Sequence, residues 1–252
     1  MKNKGIFVLD KKEGETPLEA LIKLRAKKKI DLGIKMTYAG RLDPMAKGLL
    51  LVLAGDEVRN KDKYLSLDKD YEFEILFGFK TDTYDILGKL NEAKHSECRK
   101  SDLEIKIKEN LQQFTGRFLQ QYPLYSGKTV KGKKLFEYAR EGKNITAPGR
   151  EVKIKSLKFL KLREIGARNL LRNVERRIKK VKGDFRQEEI SRIWRKRLTK
   201  NQNTFYVASF KTTCSSGTYV RGIADSLGEK LGIPALAFSI NRTRIGKWSK
   251  AE

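Results

Sequence analysis

Gly40-Arg41-Leu42-Asp43-Pro44-Met45-Ala46-Lys47-Gly48-Leu49-Leu50 sets one carboxylate in a turn bounded by glycine and proline, directly ahead of the apolar run Leu49 to Ala54. A short apolar run behind a turn signal reads as a buried strand, here Leu49 to Leu53. Asp43 then has two readings. In one it caps a turn or helix, accepting backbone N–H bonds with Pro44 at the first helical position. In the other it is a reactive carboxylate held on a rigid support. The turn by itself leaves both open.

The chain of 252 residues is long enough for one large domain or two small ones, and 39% of it is hydrophobic, enough for a real core. Lys and Arg number 56 against 31 Asp and Glu, a net charge of +25 with a pI near 10.0. That excess points to a polyanionic partner, nucleic acid being the default. No segment approaches the roughly 20 apolar residues of a membrane span. The opening Met-Lys-Asn-Lys-Gly-Ile-Phe-Val-Leu-Asp meets an acid too early for a signal peptide. Cys98 and Cys214 are too few for a disulfide framework or a zinc site. His95 is the lone histidine, which excludes a histidine triad and any multi-histidine metal site. These readings describe a cytoplasmic, reduced, metal-free protein that faces RNA or DNA.

Residues 5 to 10 read as a short strand, and Thr16-Pro17-Leu18-Glu19 opens a helix with a capping box. Tyr71, Phe73, Ile75 and Phe77 alternate onto one face of a strand. Residues 101 to 114 form a basic amphipathic helix; strands are expected at 152 to 162, 204 to 212 and 218 to 223, the last reading equally as a helix start. Residues 168 to 200 stand apart. Leu170, Val174, Ile178 and Val181 make one helical stripe and Ile190, Ile193, Trp194 and Leu198 another, with Lys182-Gly183-Asp184 turning the chain between them. This hairpin carries eight Arg and five Lys against four acids, either as a solvated face or as an arm that tracks phosphates. With no internal repeat and no long linker, residues 1 to 252 are expected to form one domain, the hairpin at about 168 to 200 being an insertion.

Three further stretches join the Asp43 turn. Ile6 to Thr16 makes a strand and glycine turn. Lys69-Asp70-Tyr71 is followed by Gly78 and by Thr81-Asp82-Thr83-Tyr84-Asp85-Ile86-Leu87-Gly88. Cys214-Ser215-Ser216-Gly217-Thr218-Tyr219-Val220-Arg221 is followed by Asp225, Leu227-Gly228 and Leu231-Gly232, and Tyr122 to Lys128 and Tyr138-Ala139-Arg140 lie between. Together, from about residue 5 to 246, these resemble the TruB family, the tRNA pseudouridine-55 synthases.

The resemblance implies an α+β fold, a mixed, largely antiparallel sheet flanked by helices. It implies an isomerase that detaches uracil from its ribose, rotates it and reattaches it through C5, in the T stem-loop of tRNA. Asp43 would be the nucleophile or electrostatic partner in glycosidic cleavage, with Arg221 keeping it ionised. Tyr71 would stack on the flipped uracil and could move a proton; outside the resemblance it reads as a core tyrosine. Tyr219 and Ile240 fall where the family contacts the extruded base, although Ile240 also fits plain core packing. Asp85 and Tyr38 complete the substrate-binding set. Base extrusion costs a few kcal/mol, which stacking and phosphate contacts offset. The isomerisation conserves every atom and is redox-neutral, so neither cofactor nor metal is implied, and a monomer is expected.

Tyr38 stands where bacterial members have a histidine, Lys12 replaces a proline, and Asn241-Arg242-Thr243 replaces a more basic run. With Glu252 the last residue, the C-terminal PUA domain many relatives carry is expected to be absent, and the basic hairpin is expected to supply some of that RNA affinity. Two other functions share these features. One is a pseudouridine synthase acting on ribosomal RNA, the other a non-catalytic RNA-binding or tRNA-folding protein. A general ribosome-binding module would share the charge alone.

Overall fold

The computed structural model describes residues 4–94 and 98–249, so His95 lies outside the described residues. In chain order the first half comprises β1 (Gly5–Lys11), α1 (Pro17–Lys28), β2 (Met36–Ala39), β3 (Ala46–Ala54), α2 (Lys61–Leu65), β4 (Lys69–Phe77), β5 (Phe79–Thr81), β6 (Leu90–Ala93), α3 (Lys100–Asn110) and β7 (Gly116–Gln121). The second half comprises β8 (Thr129–Val130), β9 (Lys133–Lys134), α4 (Leu135–Arg140), β10 (Gly149–Gly166), α5 (Ala167–Ile178), α6 (Gln187–Leu198), β11 (Thr204–Cys214), α7 (Val220–Leu231), β12 (Ala235–Ile245) and β13 (Trp248–Ser249).

A mixed sheet runs β1-β3-β12-β4-β11-β10-β7, with β2 added on β3 and β13 on β12. Its pairings are antiparallel except β3 with β12, where Ala46, Lys47 and Gly48 lie beside Ile240, Asn241 and Arg242. This parallel seam brings the residues just after Asp43 against the middle of β12. The fold is the α+β arrangement expected.

Strand alternation explains the layers. Tyr71, Phe73, Ile75 and Phe77 turn to one face, where Leu103 and Ile107 of α3 and Ile223 and Leu227 of α7 cover them. Leu76, Val207, Leu236 and Phe238 belong to a second cluster with Leu170, Val174, Ile178, Ile190, Trp194 and Leu198 of the α5–α6 hairpin. Both stripes read from residues 168 to 200 are therefore core except for Ile193, which is half-buried, and the hairpin is packed on the sheet rather than extended from it.

The element at 218 to 223 is the start of α7. β11 ends at Cys214, Gly217 at φ +82° lies in the turn that follows, and Val220, Ile223, Ala224 and Leu227 recur at helical spacing on the buried side. The helix at 101 to 114 is α3 followed by a 3₁₀ turn over Leu111–Phe114, and it is not basic, since Lys106 and Lys108 stand against Asp102, Glu104 and Glu109.

Candidate active site

The Asp43 turn leads into a strand, so its carboxylate caps no helix. Ala46 N–H donates to the Asp43 carbonyl at 3.0 Å, closing the turn, and Gly14 N–H donates to the Pro44 carbonyl at 2.8 Å. Arg242, 1% exposed, reaches beneath the loop from β12. Its Nε donates to the Leu49 carbonyl at 2.7 Å and its Nη2 to Gly40 at 3.1 Å. Gly48, opposite Arg242 in the seam, has φ +111°, and a Cβ there would lie 2.3 Å from the Arg242 carbonyl oxygen. Only glycine admits that approach.

Arg221, in the first turn of α7, holds the Asp43 carboxylate from behind. Its Nε donates to Asp43 Oδ2 at 2.7 Å, one Nη donates to the Thr83 carbonyl, and the other to the Tyr125 carbonyl at 3.4 Å. The Arg221 side chain is 3% exposed and that of Asp43 32%, so the acid faces the open side and the base is enclosed. Burial opposes the Arg221 charge, but Asp43 and Asp85 outweigh it and raise its pKa above the ordinary arginine value.

Asp85, expected among the substrate-binding residues, lines the cleft and also supports Arg221. Its Oδ1 accepts from the Thr83 hydroxyl at 2.8 Å and from the Leu87 N–H at 2.9 Å, and its Oδ2 lies 3.8 Å from Arg221 Nε. Burial pushes this carboxyl up, against the pull of Arg221.

Asp43 opens into a cleft of about 920 Å³ whose walls include Tyr38, Tyr71, Tyr122, Tyr219 and Ile240. Tyr71 comes from β4; burial raises its pKa, so the ring meets the cleft as a neutral phenol. Tyr219 precedes α7, and the Gln120 side chain clamps its backbone both ways, accepting its N–H at 2.8 Å and donating to its carbonyl at 3.0 Å. Its ring stands edge-on to Tyr122 with centroids 5.7 Å apart. Ile240 sits between Ala46 of β3 and Phe73 of β4. Tyr38 lies on β2, its hydroxyl 3.5 Å from an Arg41 Nη. All seven residues read from the sequence thus border one cleft.

Four contributors escaped that reading: Arg242, Gln120, and Phe185 and Arg186 of the hairpin turn. Arg242, Phe185 and Arg186 also line the cleft. Arg242 left one trace, its place in the Asn241-Arg242-Thr243 run that follows the apolar half of β12. Gln120 left none.

Residues 25–175 match the TruB family pseudouridylate synthase N-terminal domain. The chain is 32% identical over 244 residues to the tRNA pseudouridine synthase B of Bacillus cereus, covering 97% of this chain and 66% of that protein. It is 30% identical over 248 residues to the enzyme of that name from Aquifex aeolicus, covering 98% and 70%. The chain belongs to the TruB family. It spans about two thirds of the length of these relatives. The fold of this TruB-family chain also matches a solved Cbf5-Nop10-Gar1 complex at TM-score 0.58 and 19% identity, over 99% of this chain and 51% of that one. A structure of an H/ACA RNP bound to a substrate RNA containing 2'-deoxyuridine matches at TM-score 0.56 and 17% identity, over 99% and 50%. Among the described residues no helix is long and apolar enough to cross a membrane, and no group of three or more His, Cys, Asp or Glu is placed to hold a metal.

Proposed function

We propose that this chain converts a uridine in the T loop of tRNA, nominally position 55, to pseudouridine. The observation that carries the reading is the Asp43 carboxylate, held from behind by Arg221 and open in front to a cleft walled by aromatic rings. The N1–C1′ bond breaks and a C5–C1′ bond forms, with C5 losing a proton and N1 gaining one. Asp43 assists the cleavage as nucleophile or as electrostatic partner of the developing positive charge. Tyr71, Tyr219 and Ile240 bracket the extruded base; the Tyr71 hydroxyl, kept neutral by burial, relays the proton that C5 loses, giving up its own as it accepts that one. Tyr38 at the mouth engages the displaced loop. Flipping a base into such a pocket needs affinity from elsewhere, and the basic surface supplies it.

The hairpin's exposed basic row is part of that surface in this reading. Arg168, Arg172 and Arg176 recur every four residues along α5, on its exposed side. Arg176, at the end of the row, lines a hollow of about 270 Å³ together with Lys180, Glu13 and Glu74, and that hollow shares Ile240 with the main cleft.

The test is pseudouridine mapping on an unmodified tRNA transcript with wild-type protein and Asp43→Asn. One new pseudouridine in the T loop, lost by at least about a thousandfold in rate in the variant, is expected. Product from a ribosomal RNA fragment instead would assign the enzyme to that substrate. Tight tRNA binding without product from either would leave a non-catalytic RNA-folding protein.

A further inference from the structure

The hairpin turn enters the cleft at a place that bears on the catalytic pair. Arg186 precedes α6, and its Nη1 donates to Asp82 Oδ2 and to the Tyr125 hydroxyl, each at 2.7 Å, while its Nη2 donates to Asp82 Oδ1 at 3.3 Å. Its guanidinium also lies over the Tyr125 ring, 4.4 Å from the centroid. Asp82 is the residue before Thr83. The carbonyls of Thr83 and Tyr125 are the two that Arg221 grips while its Nε holds Asp43. One guanidinium therefore ties together the two loops that orient the other.

We propose that Arg186 is a positioning residue: it fixes the Asp82–Thr83 and Tyr125 carbonyl framework that aims Arg221 at Asp43. An exposed ion pair would contribute little. This one is forked, carries a third hydrogen bond and a ring contact, and its two charged side chains are only 17% and 20% exposed. Arg186 also holds a left-handed backbone, φ +61°, which costs a non-glycine residue about 1 kcal/mol and persists only where the surroundings enforce it. The surroundings do so. Gln187 Nε2 donates to the Gly183 carbonyl at 2.7 Å and to the Val181 carbonyl at 3.1 Å, and its Oε1 accepts the Phe185 N–H at 2.9 Å. Arg140 donates to the Asp184 carbonyl at 2.8 Å.

The hairpin grips the opposite wall too. Arg177 pairs with Glu13 at 2.7 Å, and Gly14, whose N–H holds the Pro44 carbonyl, packs on the Lys180 backbone so closely that a Cβ would lie 2.7 Å from the Lys180 oxygen. The insertion thus braces the catalytic turn on one side and the Arg221 carbonyls on the other.

This inference rests on the catalytic reading of Asp43, and the experiment separates the two. Arg186→Gly suits the left-handed backbone, so it removes the side chain while relieving strain; Arg186→Lys keeps the charge without the fork. Each is assayed for kcat and KM on tRNA transcript beside Asp43→Asn, with urea unfolding to score stability. Expected is a kcat lower by about tenfold or more in both variants, with KM within about twofold, because orientation and not RNA affinity is lost. Wild-type kcat in Arg186→Gly, with Asp43→Asn inactive, overturns the positioning role alone. A rise confined to KM overturns it too and makes Arg186 an RNA-binding residue. An active Asp43→Asn overturns the reading beneath it, leaving nothing to position.

Discussion

The Asp43 turn and the two helices of the hairpin lie against each other and are held by opposite means. The turn is fastened by direction: Arg242, Gly14 and Arg221 each meet one named oxygen at 2.7 to 2.8 Å. The hairpin's helices are fastened mainly by area, its turn and Arg177 being tied separately by polar contacts: Leu170, Val174, Ile178, Ile190 and Trp194 are fully buried against the sheet. Hydrogen bonds hold a geometry to tenths of an ångström but fail when one partner changes, since the abandoned carbonyl stays buried and unpaired. Apolar packing is non-directional and accepts substitutes of similar volume. The molecule uses the first where a carboxylate must be aimed and the second where a wall must only stay in place.

Paired substitutions sharpen that contrast and carry the largest expected effect. Arg242→Met and Trp194→Ala should each cost about 3–5 kcal/mol in urea unfolding, the first by orphaning the Leu49 and Gly40 carbonyls, the second by opening a cavity. The conservative swaps should separate them. Arg242→Lys cannot fork and should recover little. Trp194→Phe should stay within about 1.5 kcal/mol, because the indole N–H is buried with no acceptor among the described residues. Equal recovery in both swaps would break the comparison.

The polar side should also respond to pH in a way the apolar side does not. Lys11 donates to the Glu15 carbonyl at 2.6 Å and the Lys12 carbonyl at 2.9 Å, and Lys69 donates to the Leu65 carbonyl at 2.7 Å. Burial lowers both from 10.5 to about 8; nearby Glu15, Asp43 and Glu13 oppose this at Lys11 while Arg242 adds to it at both. Between pH 8 and 10 the unfolded chain therefore binds more protons than the folded one, so raising pH stabilises the fold. Below pH 8 both states are protonated and the effect is flat. Near pH 10 the buried phenols of Tyr71 and Tyr219, raised by burial, begin to act in the opposite sense. A rise of about 2 kcal/mol for each of the two lysines is expected from pH 8 to 10, less the opposing tyrosine part near pH 10, and Lys69→Met should remove one share. A flat or falling profile would mean that the two ammonium groups are not held as drawn.

What was legible in the sequence follows the same division. The capping box of Thr16 and Glu19 is local chemistry and is formed, with Glu19 N–H donating to Thr16 Oγ1 at 3.2 Å. The alternation of β4 was legible because one face is covered without a break. The two stripes of residues 168 to 200 were legible as helices, yet their role was not: the spacing shows that a face is apolar without saying what covers it. The start of α7 was ambiguous because Thr218, Tyr219 and Val220 suit a strand; the clamp that settles it comes from Gln120, 99 residues away. Arg242 and Arg186 escaped for that reason, their partners lying 193 and 104 residues distant. Asp85 was read from its place in a motif, and the fold adds the contacts of its oxygens with Thr83, Leu87 and Arg221.

The smallest structural effect tests whether the hairpin's outer face does anything its inner face does not. Deleting the hairpin cannot decide this, because it would uncover Leu76, Val207, Leu236 and Phe238 and unfold the sheet along with the binding surface. Neutralising Arg168, Arg172 and Arg176 together to Gln leaves the buried stripe untouched and should change stability by no more than about 0.5 kcal/mol. For each phosphate that the variant fails to neutralise, the slope of log affinity against log salt should fall by about 0.9 on duplex or 0.7 on single-stranded RNA. A shallower slope with unchanged kcat would assign the outer row to RNA and the inner turn to geometry. An unchanged slope would make the row an ordinary solvated face, and the hairpin's contribution would then reside wholly in its core stripe and in Arg186.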